Sequence, residues 1–433
     1  MKIVFLTPGT GSYYCGACMR DNALARELHR AGHDVTIAPM YLPLMLDDTS
    51  LAGLNTTPIF FGGINVYLQQ KMPFFRKTPA FFDRLLNWRP LLKWAARHSH
   101  MTSAREHGEM TLEMLNVENS RFRKESDKLL DWLGESVNPD LVCLSTALLA
   151  GFAEEMKHRF DAPVVTFFQG EDSFLDGLPE PFRSKCWAAM RQRLSASDLL
   201  LAPSRFYAGF IRERLGLDPQ AIEVVHNGIL LDGYTLAASA SSPPVIGYLA
   251  RMSRDKGLDI LVDAFIALAR ELGDKTVQLK IAGAATAGDE AFIAQMKRRI
   301  ADAGLASRVE WRPNLTREQK IAFLRGLTLF SVPAVYPEAF GLYVIEAMAC
   351  GIPVVQPDSA AFPELIGAGG GGLCVPRGDA AALAQAWQQL LADPSRREKL
   401  SREGRLSVEK HFSARTMCEQ FTQVIDRLTR ATA

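Results

Sequence analysis

Short apolar, strand-like runs alternate with stretches of helical periodicity along this chain, and the alternation occurs twice, which leaves few folds open to it. Lys2 to Leu6 is an apolar run closed by Pro8-Gly9-Thr10-Gly11. Met19, Ala23, Leu24, Leu28 and Ala31 then recur at helical spacing as far as Gly32, and Asp34 to Ala38 is a second strand-like run. Strand, Gly-rich turn, helix and strand in that order predict parallel strands joined by a crossover helix, because parallel neighbours cannot be linked by a tight hairpin. Further strand-like runs follow at Leu141–Leu144, Val164–Phe168, Leu199–Ala202 and Glu223–Val225, and they stop near Asn227-Gly228. Thr235 to Pro244 is rich in Ala and Ser and lacks periodicity, as a linker does. The alternation then restarts with strands expected at Val245–Leu249, Gln278–Ala282, Val309–Trp311, Leu329–Val332, Pro353–Val355 and Leu373–Val375, and helical patterns between them, for example Ile260–Leu272 and Ile321–Leu327.

The expected fold class is therefore α/β, two facing Rossmann-like, doubly wound parallel-sheet domains. We place them at 1–234 and 244–412, with a linker at 235–243 and a C-terminal helix at 413–433 packing back on the first domain. The 433 residues suffice for two such domains. A ligand is expected in an interdomain cleft, because the C-terminal ends of both sheets would open there.

Charge and hydropathy narrow the partners. Lys plus Arg at 49 against Asp plus Glu at 48 leave a net charge of +1, too little to hold a nucleic acid through many phosphate contacts. The most apolar stretch, Leu141 to Ala153, ends at Glu154-Glu155 and falls short of the roughly 18 apolar residues that a spanning helix needs. The apolar start, Met1 to Leu6, is too short for a signal peptide, so a cytoplasmic location is expected. Seven Cys at scattered positions give no disulfide framework and read mostly as small buried hydrophobes.

A dinucleotide site is the first candidate for the Gly-rich turn, yet the spacing is Gly9-x-Gly11 and then Gly16. The second strand also ends Ala38-Pro39-Met40, without the acidic residue that would hold a ribose. The turn still exposes backbone N–H groups at a helix start, which suits a phosphate, or it is a tight turn with no ligand. In the second half Arg251 and Lys256 stand on the loop leaving the first strand, where they read as a diphosphate site or as solvated surface cations. Glu338 and Glu346 lie eight residues apart around Phe340-Gly341, where a helix should start. Ionised carboxylates only accept hydrogen bonds, so the pair suits sugar hydroxyls while free helix N–H groups meet phosphate; the bland alternative is a charged helix face.

Several blocks together resemble a known family. ALARELHRAGHDV, PDLVCLST, APSRF, VVHNGILLDGY, LARMSRDKG, PEAFGLYVIEAMACGIPVV and AAFPELI, in this order and spacing, resemble the retaining nucleotide-sugar glycosyltransferases of family 4, which have the GT-B fold. The resemblance implies that Arg251 and Lys256 bind the donor diphosphate, Glu346 the nucleotide ribose and Glu338 the transferred sugar. Phe340, Gly341 and Leu342 would contact sugar or phosphate through their backbone; Gly9 and Gly11 are substrate-binding candidates on the ground of the turn's backbone N–H groups alone. It also implies no cofactor and no metal, the nucleotide sugar, UDP-linked by preference, being a substrate. No Asp-x-Asp element stands at a strand end to carry a divalent ion. Retention in the family is explained by front-face attack, the departing phosphate taking the acceptor's proton, so Glu338 need not be a nucleophile.

Two departures stand out. Where the family has His-Gly, VVTFFQGEDSF places Gln169-Gly170, and Gln can hydrogen-bond a sugar but cannot exchange protons. Either Gln169 supplies that bond alone, or Glu171 and Asp172 take over part of the role, or the chain is a weak or silent sugar-nucleotide-binding scaffold. The usual Gly before the donor-binding Arg is Ala250. A phosphorolytic enzyme of similar fold is a third reading.

Two further features compete with their bland readings. Cys15-x2-Cys18 with His29-x3-His33 approximates a zinc-ligand string, but His29 falls within the predicted helix and the GHDV block accounts for His33. The cysteines read as loop residues, with a redox pair as the alternative. The insert at 71–100 interleaves Lys71, Arg76, Lys77, Arg84, Arg89, Lys93 and Arg97 with Phe74, Phe75, Phe81, Phe82, Trp88 and Trp94. It reads as a packed amphipathic helix pair, as an aromatic floor for a saccharide, lipid or small-molecule acceptor, or as a peripheral contact with the anionic inner membrane face.

Overall fold

The computed structural model describes residues 1–8, 16–40, 104–236, 242–273 and 277–432. Gly9, Gly11, Cys15, the insert at 71–100 and linker residues 237–241 lie outside the described residues. The chain forms two compact units. One comprises Met1–Pro203, Ala208–Val225 and Cys418–Ala433; the other comprises Ser204–Tyr207 and His226–Met417.

The first unit holds a six-stranded sheet, β1 (Lys2–Thr7), β2 (Asp34–Pro39), β3 (Leu141–Leu144), β4 (Val164–Phe167), β5 (Leu199–Ala202) and β6 (Ile222–Val224), in the order β2-β1-β3-β4-β5-β6. Every neighbouring pair is parallel. β1, β3 and β4 are apolar almost throughout, as strands buried on both faces must be. The chain moves outward from β1 to β2 and then crosses to β3, so the winding reverses between β1 and β3. Near that reversal the helix Gly16–Arg30 buries Arg20 and Asp21, each about 1% exposed. Their charged atoms approach to 2.9 Å without hydrogen-bond alignment, Arg20 donates to the Ser145 carbonyl at 3.0 Å, and its guanidinium stacks on Phe167. Burial pushes the Asp21 carboxyl up from its ordinary range, with the Arg20 charge opposing it.

The second unit repeats the design with β7 (Val245–Leu249), β8 (Gln278–Gly283), β9 (Val309–Pro313), β10 (Leu329–Phe330), β11 (Val354–Pro357) and β12 (Gly372–Val375) in the order β12-β11-β10-β7-β8-β9. All pairs are again parallel. Two doubly wound parallel sheets with flanking helices match the fold class expected from the sequence. The winding reverses between β7 and β10. In such sheets ligands collect outside the carboxyl ends of the strands at the reversal, here on the loops after β7 and β10.

The unit boundary falls at 225/226 and not at 234, because the intervening residues are bound to the second unit. Ile229 bridges Ser413 in parallel, and the Tyr234 hydroxyl donates to Glu346. The helix expected over Ile321–Leu327 runs Arg317–Arg325, started by a capping box in which Thr316 and Gln319 exchange side chain to backbone bonds. The C-terminal helix runs Ala414–Thr432, and its part from Cys418 onward belongs to the first unit, where Phe421 stacks on Phe167 at 5.8 Å and Arg427 pairs with Glu223. Among the described residues, no helix is long and apolar enough to cross a membrane.

Candidate functional site

The loop after β7 carries Arg251 and Lys256. Its path is fixed by the Tyr248 hydroxyl, which donates to the Arg251 carbonyl at 2.6 Å, and by Val335 N–H of the loop after β10, which donates to the Asp255 carbonyl at 2.9 Å. Gly257 closes the loop with φ at +69°, and a Cβ there would stand 1.8 Å from the Pro333 carbonyl oxygen. Only glycine meets both conditions, so the two loops approach backbone to backbone.

This approach brings Lys256 and Glu338 together across 82 residues of sequence. Lys256 Nζ donates to Glu338 Oε2 at 2.5 Å and to Tyr336 Oη at 2.8 Å. Tyr336 Oη donates to Glu338 Oε1 and Tyr343 Oη to Glu338 Oε2, both at 2.7 Å. The ammonium also lies over the Tyr336 and Tyr343 rings, 4.6 and 5.4 Å from their centroids. Glu338 is 8% exposed. Burial alone would push its carboxyl up, but the Lys256 charge and the three hydrogen bonds outweigh it and hold the group below its ordinary value. Glu338 is therefore a carboxylate at neutral pH.

Arg251 is half exposed and lies against Asp289 in a two-point contact, Nε to Oδ2 at 3.1 Å and Nη2 to Oδ1 at 3.0 Å. Asp289 is itself buried, and Thr286 donates to it from its backbone N–H at 3.1 Å and its hydroxyl at 2.6 Å. The sequence left Arg251 and Lys256 open as a diphosphate site or as solvated surface cations, and in the structure each is held by a carboxylate. The four charges cancel, so an anion here meets directed donors and not a net positive field.

Glu346 lies in the helix Leu342–Ala349 and is 4% exposed. Its Oε1 accepts from Lys320 Nζ at 2.6 Å and from Tyr234 Oη at 2.8 Å. The helix starts at Gly341 with φ at +93° and without a side-chain cap, which leaves its first N–H groups to solvent or ligand. Phe340 packs edge-on against Phe412 at 5.9 Å, and Leu342 packs against the core, so these two side chains anchor the turn.

In the first unit, Gln169 follows β4 and is partly buried, and its Nε2 lacks a hydrogen-bond partner. Its N–H donates to both carboxylate oxygens of Glu171, at 3.0 and 2.9 Å, and Glu171 also accepts from Thr146 Oγ1 at 2.7 Å and Ala147 N–H at 3.0 Å. Glu171 thus ties the loop after β3 to the loop after β4. Asp172 is buried beside it in the short helix Glu171–Leu175.

Cys18 is buried with its sulfur 3.6 Å from Thr7 Oγ1, and no cluster of three His, Cys, Asp or Glu groups suited to a metal occurs among the described residues. Burial pushes the thiols of Cys186 and Cys374 up to about 11 and that of Cys350 up to about 12, so they behave as inert packing groups.

Sequence reasoning missed Tyr336, Tyr343, Asp289, Lys320 and Tyr234. Tyr336 and Tyr343 flank Glu338 closely enough to have been considered. Lys320 and Tyr234 stand 26 and 112 residues from Glu346 and carry no local signal.

Residues 237–407 match the family described as Glycosyl transferases group 1, and residues 110–232 match Glycosyltransferase Family 4. Among curated proteins, the chain is 34% identical over 187 residues to the lipopolysaccharide core biosynthesis mannosyltransferase LpsB of Rhizobium meliloti (strain 1021), covering 43% of this chain and 52% of that one. It is 28% identical over 222 residues to the D-inositol 3-phosphate glycosyltransferase of Streptomyces bingchenggensis (strain BCW-1), covering 48% of each. The chain thus spans about half the length of these relatives. Two solved structures share the fold along nearly all of both chains. HepE of Anabaena in complex with UDP and glucose has a TM-score of 0.69 at 19% identity, covering 98% of this chain and 99% of that one. Sucrose-phosphate synthase of Thermosynechococcus elongatus has a TM-score of 0.69 at 18% identity, covering 100% of both.

Proposed function

Because the chain belongs to the GT-B glycosyltransferases of family 4 type, we propose that it is an enzyme that moves a sugar from a nucleoside diphosphate donor to a saccharide, lipid or small-molecule acceptor, with retention and without a metal ion. The observation that supports this reading is the Lys256–Glu338 contact at the winding reversal, an ammonium beside a carboxylate, the pair of groups that a diphosphate and its sugar call for. Lys256 uses two of its three N–H bonds on Glu338 and Tyr336 and keeps one for a phosphate oxygen. Arg251, docked on Asp289 through Nε and Nη2, keeps its Nη1 side for the same group. The open N–H groups at Gly341 and Leu342 add neutral donors.

Glu346 spends Oε1 on Lys320 and Tyr234, and its Oε2 is assigned to the ribose hydroxyls. Glu338 is assigned to the transferred sugar. A carboxylate held by three donors is a weak nucleophile, which favours a role in orienting and stabilising and leaves the departing phosphate to take the acceptor's proton. Gln169 is assigned one hydrogen bond, from its unpartnered Nε2. UDP is the first nucleotide to test, since HepE, of the same fold, has been captured with UDP and glucose.

The test is release of nucleoside diphosphate from UDP-glucose, GDP-mannose and ADP-glucose by the full chain, with and without sugar acceptors. Lys256→Ala and Glu346→Ala are each expected to lose roughly 100-fold or more in rate, the scale for one preorganised electrostatic group. Near-normal turnover in either variant contradicts the assignment. A second reading, a donor-binding scaffold without transfer, draws on the amide of Gln169 standing where an ionisable group is expected. It would give donor binding with no turnover on any acceptor.

A further inference from the structure

The hydrogen bonds converging on Glu338 limit what that carboxylate can do for a ligand. An ionised carboxylate has about four acceptor positions, two on each oxygen. On Oε2 both are taken, by Lys256 Nζ at 2.5 Å and Tyr343 Oη at 2.7 Å. On Oε1 one is taken, by Tyr336 Oη at 2.7 Å. One position remains. None of the three donors is loosely placed. Lys256 is 17% exposed and also donates to Tyr336, while the Tyr343 ring packs between Phe330 and Phe362, with centroids 6.2 and 6.4 Å away.

We propose that Tyr336 and Tyr343 are specificity-determining positioning residues that restrict Glu338 to a single hydroxyl of the transferred sugar, received at Oε1. This rests on the reading above that Glu338 holds the donor's sugar. A carboxylate with two open positions can accept from two adjacent hydroxyls and reject sugars that lack either. With one position it reads one hydroxyl and is indifferent to the next. The substrate class that follows is a nucleoside diphosphate sugar in which one hydroxyl is required by Glu338 and its neighbours are free to be absent, inverted or substituted.

The two tyrosines also keep Lys256 in place. Tyr336 accepts one of its N–H bonds, and both ring faces attract the ammonium, so the remaining N–H has a set direction. Tyr343→Phe keeps the ring between Phe330 and Phe362 and removes only the hydroxyl. It therefore opens one position on Oε2 without disturbing the packing. Tyr336→Phe opens a second position on Oε1 and also withdraws an acceptor from Lys256.

The experiment uses the full chain with UDP-glucose and a series of its analogues, each lacking one sugar hydroxyl, or the same series of whichever nucleotide sugar is turned over. kcat/KM is measured for wild type, Tyr343→Phe, Tyr336→Phe and Glu338→Gln. In wild type, removal of one hydroxyl should cost about tenfold or more, the scale of a hydrogen bond to a charged group, and this penalty should shrink to a few-fold in Glu338→Gln, which keeps only a neutral hydrogen bond. In Tyr343→Phe a second hydroxyl should acquire a Glu338-dependent penalty of at least about fivefold. Tyr336→Phe should do the same, and it decides the matter if Tyr343→Phe does not fold. The proposal is overturned if wild type already shows two Glu338-dependent hydroxyls, or if the tyrosine variants keep the one-hydroxyl profile. Failure of the underlying reading looks different: every penalty in wild type would then persist unchanged in Glu338→Gln.

Discussion

Replacing Lys320 by Met should destabilise the second unit by an amount that its surroundings set. The Lys320 and Glu346 side chains are 9% and 5% exposed, and the ammonium lies 2.6 Å from Oε1. Removing one partner of a buried ion pair leaves the other charged and desolvated, at a cost of about 3–5 kcal/mol. Tyr234 still donates to the same oxygen at 2.8 Å, and a hydrogen bond to a charged group retains part of that energy. The low end, about 3 kcal/mol, is therefore expected, and for a unit of this size it lowers the melting temperature by roughly 6–12 °C. Scanning calorimetry of the full chain reads the shift. The companion variant Lys320→Met/Glu346→Leu removes both charges and should recover most or all of the loss, because a buried pair is commonly no better than apolar packing. The reasoning is refuted if Lys320→Met melts within about 2 °C of wild type, or if the double variant is no more stable than the single one.

Other consequences follow from the same loops. Gly257→Ala forces a Cβ to 1.8 Å from the Pro333 carbonyl at a φ of +69° and should cost at least about 2 kcal/mol in a denaturant titration, with weaker donor binding. An unchanged unfolding midpoint would show that the two loops do not meet as described. Asp289→Ala should weaken UDP binding about tenfold in the wild-type background and have little effect once Arg251 is Ala, since Asp289 acts by holding the guanidinium; equal losses in both backgrounds would reject that role. The pH dependence has a definite sign. Glu338 is held below its ordinary value of 4.5, so its contribution is complete above that value and is lost as pH falls through the lower folded value. The kcat/KM profile should show no acid limb owed to Glu338 between about pH 5 and 8, and a limb in that window that disappears in Glu338→Gln would contradict the described hydrogen bonds.

How much of this was legible in the sequence varies with the range of the interaction. The strands were readable because each is a short apolar run between Gly, Pro or polar stops. Their ends moved by a residue or two where pairing and not hydropathy decides, as at Ile222–Val224 and Gly372–Val375. The helix Arg317–Arg325 starts earlier than its apolar residues imply, because the capping exchange of Thr316 with Gln319 sets its first turn. Arg251, Lys256, Glu338 and Glu346 were all identified, and the structure places them in one unit, with Lys256 and Glu338 in contact.

The partners were not legible. A charged residue in an amphipathic pattern is read as facing solvent, yet Arg20, Asp21 and Lys320 are buried. Which side chain reaches them depends on where loops far apart in sequence converge. The contacts of Glu171 were hidden for the same reason, since Thr146 and Ala147 reach it from the loop after β3.

On the function proposed above, the loops after β7 and β10 hold a nucleoside diphosphate through Lys256 and Arg251. Titration calorimetry of UDP, GDP and ADP into the full chain, repeated with Lys256→Met and Arg251→Ala, tests it most directly. One of the nucleotides should bind wild type, and each variant should lose about tenfold or more in affinity. Absence of binding by all three, or equal affinity in wild type and both variants, would contradict the claim.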